Sequence, residues 1–250
     1  MSGLTDDRSV ESNEPSDGGS LLEAAAVGVA GAAFGVAVGS PLGFAVPLGA
    51  VGAANGVITG WRRVYDWGCS TGPVAFVLDS TWALPMTSAA LISQALGVLR
   101  GAAGYDDSLS RRSNRMVFQR GFVPRRGFAI TIGNVVSGAG DTSLPRRRKL
   151  VTDHEDVHVW QARWFGPFYP ALYGAWMVAG GAAGIVLWAV KRRSDPFARV
   201  VESCAYYLNP FEWWAYSRDG HWPPSGKVGG LGWRKPIVRP RRIQPVDDSS

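Results

Sequence analysis

The sequence predicts a mainly α-helical, multi-pass membrane protein, and three observations indicate this fold class. Only 18% of the 250 residues are charged, against about a quarter in an average soluble protein. Two long stretches, residues 24–60 and 164–190, contain no charged residue at all. The polar segment between them carries His154, Glu155 and His158 in the spacing H-E-x-x-H, which places both histidines on one face of a helix. We therefore expect membrane helices around a helix with metal-binding spacing.

The charge distribution favours a membrane surface over nucleic acid as the partner of this chain. The net charge is +6, yet residues 1–23 are acidic, so the remainder of the chain is strongly basic. Loops of a membrane protein that face anionic lipid carry such a balance. No sequence signature of a DNA- or RNA-binding module accompanies the charge. Arginine far outnumbers lysine, which is typical of GC-rich bacterial genomes. We expect contact with lipid, no nucleic-acid partner, and a bacterial cell membrane as the location.

The N-terminal residues 1–20 form the first predicted unit, a disordered acidic tail. They are rich in Ser, Asp, Glu and Gly and contain almost nothing that a core would bury. No basic region precedes the first apolar stretch, so we do not expect a cleaved signal peptide here.

Residues 21–63 form the second predicted unit, a glycine-rich helical membrane hairpin. The arms lie near 22–39 and 44–60, and the sequence "GSPLG" supplies the turn between them. In the first arm and the turn, glycines recur every fourth residue, at Gly31, Gly35, Gly39 and Gly43. Glycines at this spacing form a helix face that another backbone can approach closely. The hairpin is therefore also a candidate for self-association between copies.

Residues 64–115 combine an apolar segment with an arginine-rich connector. The stretch 73–99 is mostly apolar and carries a single charge, at Asp79. Its proline and scattered polar residues weaken the case for a membrane span. A third membrane segment and a helix lying at the interface remain equally open.

Residues 116–222 are predicted to contain the chemistry of the protein. Short β-branched and aromatic runs broken by Gly and Pro indicate a β-hairpin with strands near 116–123 and 127–136. The helix with the histidines follows, and Thr152 with Glu155 has the spacing of a capping box at its start.

A transmembrane helix and a second motif helix complete this region. The charge-free run that ends at residue 190 is the clearest membrane span in the chain. Asn209 and Pro210 are suited to cap and begin a further helix. Residues 223–250 are rich in Pro, Gly and basic residues, which predicts an extended or disordered tail. Six aromatic residues are expected to form an interfacial belt and packing surface: Trp160, Trp164, Phe165, Phe168, Tyr169 and Tyr173.

The H-E-x-x-H spacing suits one particular chemistry. Two histidines four residues apart on a helix can hold one Zn²⁺, while the intervening Glu155 reaches the water that the metal activates. A third ligand must come from elsewhere, and Glu212 in "EWWA", Glu202 in "ESCA" and His221 are the candidates. Cys69 and Cys204 are the remaining sulfur donors, and the sequence does not decide whether they pair.

Two separated motifs resemble a family of bacterial membrane proteins related to the gluzincin metallopeptidases. The segments "HEDVHVWQARWFGPFYPALY" and "NPFEWWAY" are similar to the patterns H-E-x-x-H-x-x-Q, G-P-x-[YF] and N-P-[FY]-E-x-x-A of that family. The matching residues are His154, Glu155, His158, Gln161, Gly166, Pro167, Tyr169, Asn209, Pro210, Phe211, Glu212 and Ala215. The resemblance covers residues 127–216. It implies a zincin-like core, zinc held by His154, His158 and Glu212, Glu155 as the catalytic base, and a peptide substrate.

Two functional hypotheses follow from these residues. The first is a membrane-associated metallopeptidase-like protein that hydrolyses peptide bonds with zinc-activated water. The alternative is a non-catalytic structural membrane protein that assembles through its glycine-rich hairpin, with zinc absent or structural. A catalytic zinc keeps an open position, whereas a structural zinc is closed by four protein ligands. Four residues are candidates to stabilise an oxyanion: Tyr169, Tyr216, Arg218 and His221. Gln161 is expected either to bond an outer carbonyl or to face water.

Overall fold

The computed structural model describes residues 20–101, 104–123, 127–190, 195–232 and 234–241. It is 64% helix and 5% strand, with one small three-stranded sheet, which confirms the prediction of a mainly helical protein. The predicted disordered tail, apart from Ser20, lies outside the described residues, as does the end of the predicted C-terminal tail.

The N-terminal hairpin consists of α1 (Leu21–Gly39) and α2 (Ala45–Trp61), joined by a 3₁₀ turn at Ser40–Leu42. The two arms agree with the predicted boundaries to within one residue. The hydroxyl of Ser20 caps α1 by accepting a hydrogen bond from the backbone N–H of Glu23, at 3.2 Å. The backbone N–H of Ser20 also donates to the carbonyl oxygen of Trp61, at 3.1 Å, which ties the two ends of the hairpin together.

The glycines of the hairpin are used within the chain, where the two helices touch backbone to backbone. A methyl group on Gly31 would lie 2.4 Å from the carbonyl oxygen of Gly52, and one on Gly52 would lie 2.1 Å from that of Gly31. A methyl group on Gly56 would lie 2.3 Å from the carbonyl oxygen of Val27. Self-association through these glycine faces would therefore have to compete with the packing of one arm on the other.

Two helical segments are long and apolar enough to cross a membrane, namely Leu21–Leu42 and the run Pro145–Val190. The stretch that the sequence left open as a third segment forms two helices, α3 (Thr71–Ser80) and α4 (Leu84–Leu99), bent by 87°. The pair passes the same test only when it is counted as one broken segment. Membrane association is therefore possible, and the number of crossings is not determined by these helices alone.

The sheet corrects the predicted hairpin. After a single helical turn, α5 (Asp107–Ser110), the strands are β1 (Met116–Phe118), β2 (Ile130–Ile132) and β3 (Val135–Ser137), in the order β1-β3-β2. The predicted pairing of 116–123 with 127–136 is wrong, because β1 runs parallel to β3 and only β2 and β3 form a tight antiparallel hairpin. The reason lies in the turn between β2 and β3, where a glycine adopts a φ of +56° that other residues rarely adopt.

The motif helix starts earlier than predicted. It comprises α6 (Pro145–Lys149), a π-helical turn (Leu150–Glu155) and α7 (Asp156–Phe165). The capping box is therefore wrong, since Pro145 already begins the helix at a position where proline is favoured. The hydroxyl of Thr152 instead donates to Asp153 Oδ1, at 3.1 Å.

A break and a long apolar helix follow. The chain turns through Gly166–Phe168 into α8 (Tyr169–Val190). The chain then returns along α8 through α9 (Phe197–Glu202) and a second π-helical turn (Ser203–Tyr207).

The last helix is α10 (Pro210–Asp219), capped as predicted by Asn209, whose side-chain oxygen accepts from the N–H of Phe211 at 3.1 Å. The C-terminal segment is not the loose tail that its composition predicts. Val228 and Leu231 are buried, and the N–H of Ile237 donates to Ser217 Oγ on α10, at 3.0 Å. The segment therefore braces α10 as far as the described residues extend.

A buried ion pair joins the motif helix to the N-terminal half of the chain. Arg163 on α7 donates to both carboxylate oxygens of Asp79 on α3, at 2.9 and 2.8 Å, and the two side chains are only 1% and 2% exposed. Tyr65 donates its hydroxyl to the same carboxylate at 3.0 Å. Asn55 on α2 donates to that hydroxyl oxygen, and the turn residue Asn134 donates to Asn55 in turn. The network connects the hairpin, α3, the sheet and α7.

We predict opposite effects for two Gly→Ala substitutions that are chemically identical. Gly52→Ala should destabilise the fold by about 1–3 kcal/mol, because its methyl group meets a backbone oxygen that cannot yield without separating the helices. Gly174→Ala in α8 meets nothing within 4 Å, so it should be neutral or stabilise the helix by up to about 1 kcal/mol. Thermal unfolding in detergent micelles measures both. Equal effects of the two substitutions would contradict the close packing of α1 on α2.

Candidate metal centre

Three side chains from two separate parts of the chain converge on one point. His154 comes from the first π-helical turn, His158 from α7 and Glu212 from α10. The two Nε2 atoms lie 3.3 Å apart. Glu212 Oε1 lies 3.3 Å from His158 Nε2, and Glu212 Oε2 lies 3.5 Å from His154 Nε2. With one oxygen of Glu212 taken as its donor, the three ligand atoms lie within 4.8 Å of one another, so the three donor groups form a compact triangle.

The triangle is compatible with one face of a tetrahedral zinc site. Zinc binds imidazole nitrogen and carboxylate oxygen at about 2.0–2.2 Å, so two ligands at a tetrahedral angle lie about 3.3 Å apart. The two Nε2 atoms have this separation, and each of them lies 3.3 or 3.5 Å from a different oxygen of the Glu212 carboxylate. Two imidazoles and one carboxylate are also a donor set that zinc commonly accepts.

The local sequence explains why the three groups meet. His154 and His158 are four residues apart on one continuous helix, so their side chains lie on the same face. Asn209 caps α10 and Pro210 occupies its first position, which places Glu212 in the first turn. The carboxylate is thereby fixed on a rigid helix end that packs against the first π-helical turn and α7.

The cluster is buried and leaves polar atoms without partners. His154 and Glu212 are each 3% exposed, and His158 is also buried. Among the described residues, Glu212 Oε2 and His154 Nδ1 have no hydrogen-bond partner. A buried carboxylate is costly unless a positive group or donor compensates it. A cation at the centre of the triangle would supply that compensation, so the residues fit a metal ion.

The electrostatics of Glu212 agree with a carboxylate that serves as a ligand. Burial alone would raise the pKa of its carboxyl group. The positive charge of His158 and the hydrogen-bonding contacts of both imidazoles outweigh burial, so the pKa lies well below its usual range. Glu212 is therefore ionised across the physiological pH range.

Hydrogen bonds behind the cluster orient its members. His158 Nδ1 lies 2.8 Å from Gln161 Oε1, and Gln161 Nε2 donates to the carbonyl oxygen of Phe211, at 3.0 Å. Because that amide oxygen can only accept, Nδ1 carries a proton, and Nε2 is the nitrogen that faces the cluster. Gln161 is therefore buried and bonds an outer carbonyl, which was one of the two roles expected for it.

Two tyrosines that the sequence assigned to an interfacial belt also contact the cluster. The hydroxyl of Tyr173 donates to Glu212 Oε1, at 2.8 Å. The hydroxyl of Tyr169 lies 3.2 Å from both His158 Nδ1 and Gln161 Oε1. Their spacing of four residues on α8 was the only sequence signal for a shared face, and it did not indicate what that face meets.

Glu155 lies beside the cluster and is held by the sheet. Its side chain is buried, and Oε2 accepts a hydrogen bond from the hydroxyl of Thr131 on β2, at 2.7 Å. On the other side, the ring of Tyr216 lies 4.5 Å from that of His154, centroid to centroid. Burial, and then the negative charges of Glu212 and Glu155 among others, raise the pKa of the Tyr216 hydroxyl. The hydroxyl is therefore protonated and able to donate.

The other candidate ligands lie away from the cluster. Glu202 pairs with Lys227 at 3.3 Å, and His221 Nδ1 lies 3.0 Å from Asp219 Oδ1. Cys69 is exposed and Cys204 is buried, and they form no disulfide with each other. Of the four oxyanion candidates, Arg218 also lies elsewhere, because its guanidinium donates to a backbone carbonyl of the C-terminal segment, that of Arg239.

No protein-family model, curated protein or solved structure matches this chain. The resemblance to the gluzincin-related membrane family therefore remains a prediction that rests on the two motifs themselves.

We predict that Gln161→Leu weakens zinc binding by about 10- to 100-fold, which is typical for the loss of a hydrogen bond that orients a metal-binding histidine. Competition with a zinc-sensitive dye of known affinity measures the change. Tyr169→Phe is the matched comparison, since it removes a longer contact to the same histidine nitrogen and should have a smaller effect. An unchanged affinity in Gln161→Leu, with the helical content retained, would contradict the orienting role of Gln161.

Proposed function

We propose that this protein is a zinc-dependent, metallopeptidase-like hydrolase associated with the bacterial cell membrane. One observation carries the proposal: His154, His158 and Glu212 converge in a buried cluster with a donor set that zinc accepts, and each imidazole nitrogen lies 3.3 or 3.5 Å from a carboxylate oxygen. The predicted family, with its membrane association and its peptide substrates, is part of the same proposal.

An open site fits this arrangement better than a closed one. Among the His, Cys, Asp and Glu side chains of the described residues, only these three converge on the cluster. A tetrahedral metal held by three protein ligands keeps its fourth position for water or substrate, as in catalytic sites. This supports hydrolysis over the alternative of a structural zinc.

Zinc, when bound, lowers the pKa of water towards neutrality and polarises a carbonyl group. The part of Glu155 is to accept the proton of the attacking water and to pass it to the leaving amine. Thr131 holds one carboxylate oxygen of Glu155, at 2.7 Å, and so limits the orientations that the carboxylate can adopt. The other oxygen is left for the proton.

Tyr216 is suited to stabilise the charge that develops on the carbonyl oxygen. Its ring packs against His154, and its hydroxyl remains protonated for the reasons given above. A hydroxyl donor aimed at developing negative charge lowers the barrier more than it strengthens ground-state binding. Of the four candidates for this role, Tyr216 and Tyr169 are the two that contact the cluster, and Tyr169 is occupied by His158 and Gln161.

The sheet supplies a feature that suits an extended peptide. β2 is an edge strand in the order β1-β3-β2, and the same strand holds Glu155 through Thr131. An edge strand can bind a peptide by backbone pairing. The peptide would then lie beside the residue that we assign as the base.

The first test is the metal content of the full-length protein purified in detergent. We expect about one zinc per chain, because three buried donors form one site. His154→Ala and Glu212→Ala should each lose the metal, whereas Glu155→Gln should retain it, since Glu155 is not a ligand. Mass spectrometry of the metal measures all four proteins. Wild-type protein without metal under zinc-replete conditions would refute the proposal and favour a structural membrane protein.

The second test separates the base from the ligands. Thr131→Val preserves the shape of the side chain but removes the hydroxyl that holds Glu155. We expect unchanged zinc content and at least about a tenfold loss of kcat, as part of the contribution of a positioned general base. Hydrolysis of dye-labelled casein measures this, and Thr81→Val, whose hydroxyl donates to the backbone carbonyl of Val77 at the end of α3, is the control. A loss of zinc in Thr131→Val, or full activity in Glu155→Gln, would contradict the assignment.

A further inference from the structure

We propose that α8 lies along the membrane surface, with one face in the hydrocarbon, instead of crossing the bilayer. By this inference the α1–α2 hairpin is the element that penetrates deeply. The proposal concerns lipid contact and does not depend on whether the cluster binds zinc.

One face of α8 is covered by the returning chain. A methyl group on Gly180 would lie 2.4 Å from the carbonyl oxygen of Cys204, and one on Gly184 would lie 2.9 Å from Val201 Cα. Further along, Trp188 Nε1 donates to the carbonyl oxygen of Asp195, at 3.0 Å. The contacts run in opposite order along the two segments, so the return is antiparallel and adjacent over most of the length of α8.

The segment that packs on α8 carries charged residues. If α8 crossed the bilayer, these residues would lie at the depth of the hydrocarbon. Arg199 pairs with Asp195 at 2.7 Å, and Lys227 pairs with Glu202 at 3.3 Å, with all four side chains partly exposed. Ion pairs of this kind are costly inside the hydrocarbon.

The uncharged part of the segment that packs on α8 is too short to cross the hydrocarbon. Between Glu202 and Glu212 only nine residues are uncharged, and at the helical rise they cover about 14 Å. The hydrocarbon core is about 30 Å thick. An upright α8 would therefore carry at least one of the ion pairs into the hydrocarbon beside it, whereas an α8 in the plane of the surface keeps both at the water side.

The opposite face of α8 is exposed and apolar along its whole length. Within α8 every exposed side chain is apolar, and Val178 and Val190 are 75% and 74% exposed. The exposed face continues at helical spacing through Ala171, Ala175, Val178, Ala182 and Ile185. An exposed apolar patch of this length marks an interaction surface. α8 itself carries no charge, and the segment packed on it supplies the charged side, so the pair has the apolar and polar sides of an element that lies in the interface.

Lipid is the occupant that the rest of the molecule favours. The outer face of the hairpin also exposes large apolar side chains, among them Val29 and Val46, and α1 is long enough to enter the hydrocarbon. The hairpin tip at Ser40–Leu42 and its flanks contain no charged residue, so it can remain inside the bilayer. A membrane can contact both the exposed face of α8 and the outer face of the hairpin, whereas a second copy of the chain would cover only one of them.

The experiment measures depth along α8 with spin labels. Single cysteines replace Leu172, Val178, Ile185 and Val190, one at a time, in the full chain carrying Cys69→Ser. The proteins are reconstituted in vesicles of phosphatidylethanolamine and phosphatidylglycerol. Access of oxygen and of a water-soluble nickel complex gives the depth of each label. The parent Cys69→Ser protein, which keeps only the buried Cys204, reports background labelling.

We expect the four α8 labels to lie at similar depth, just below the headgroups. Labels at Leu22, Val29 and Val36 on α1 provide the matched control and should become steadily deeper towards the hairpin tip. An upright α8 would instead place the middle labels deepest, because Leu172 and Val190 are separated by about 27 Å along the helix axis. That profile would overturn the proposal. Labels that are all accessible to the nickel complex, or that broaden each other through a second copy, would overturn it as well.

Discussion

The buried ion pair between Asp79 and Arg163 is the interaction on which the arrangement of this protein depends. Removing one partner of such a pair would leave the other charge uncompensated, at a cost of about 3–5 kcal/mol. The two residues belong to α3 and α7, and Tyr65 and Asn55 extend the network into the α1–α2 hairpin. The helix that carries both histidines is therefore held in position by the N-terminal half of the chain, which the motif resemblance does not cover. The hairpin and the cluster of His154, His158 and Glu212 belong to one packed body.

The sequence could predict the structural features that neighbouring residues determine. The hairpin arms follow from an uncharged stretch, a glycine repeat and a turn sequence, all within 40 residues, and the cap at Asn209 follows from its two neighbours. The strand pairing is not local, because β1 meets β3 only after a crossover and its partner cannot be read from its own residues. The predicted capping box failed for a different reason. The local pattern at Thr152 is that of a helix start, but the helix had already begun at Pro145.

The site divides in the same way. The spacing of His154 and His158 implies a shared helix face, and the N-P-F-E motif places Glu212 at a helix start, so the three candidate ligands could be predicted. The motif also named Gln161 but left two roles open, and its bond to the carbonyl of Phe211 decides between them. Thr131 and Tyr173 belong to no matched motif, and their contacts with Glu155 and Glu212 join distant parts of the chain. Sequence reasoning could therefore identify the residues that donate to the cluster, but only one of those that orient them.

The order of the cluster members along the chain has a consequence for biosynthesis. His154 and His158 emerge from the ribosome well before Glu212, because α8 and the returning segment lie between the two histidines and Glu212 in the sequence. The donor set is therefore incomplete until most of the chain has been made. The residues that brace α10 from behind, up to the described end at 241, are synthesised later still. A nascent chain therefore completes the α1–α2 hairpin before it can present all three donors. The order of translation places the hairpin ahead of the completed cluster.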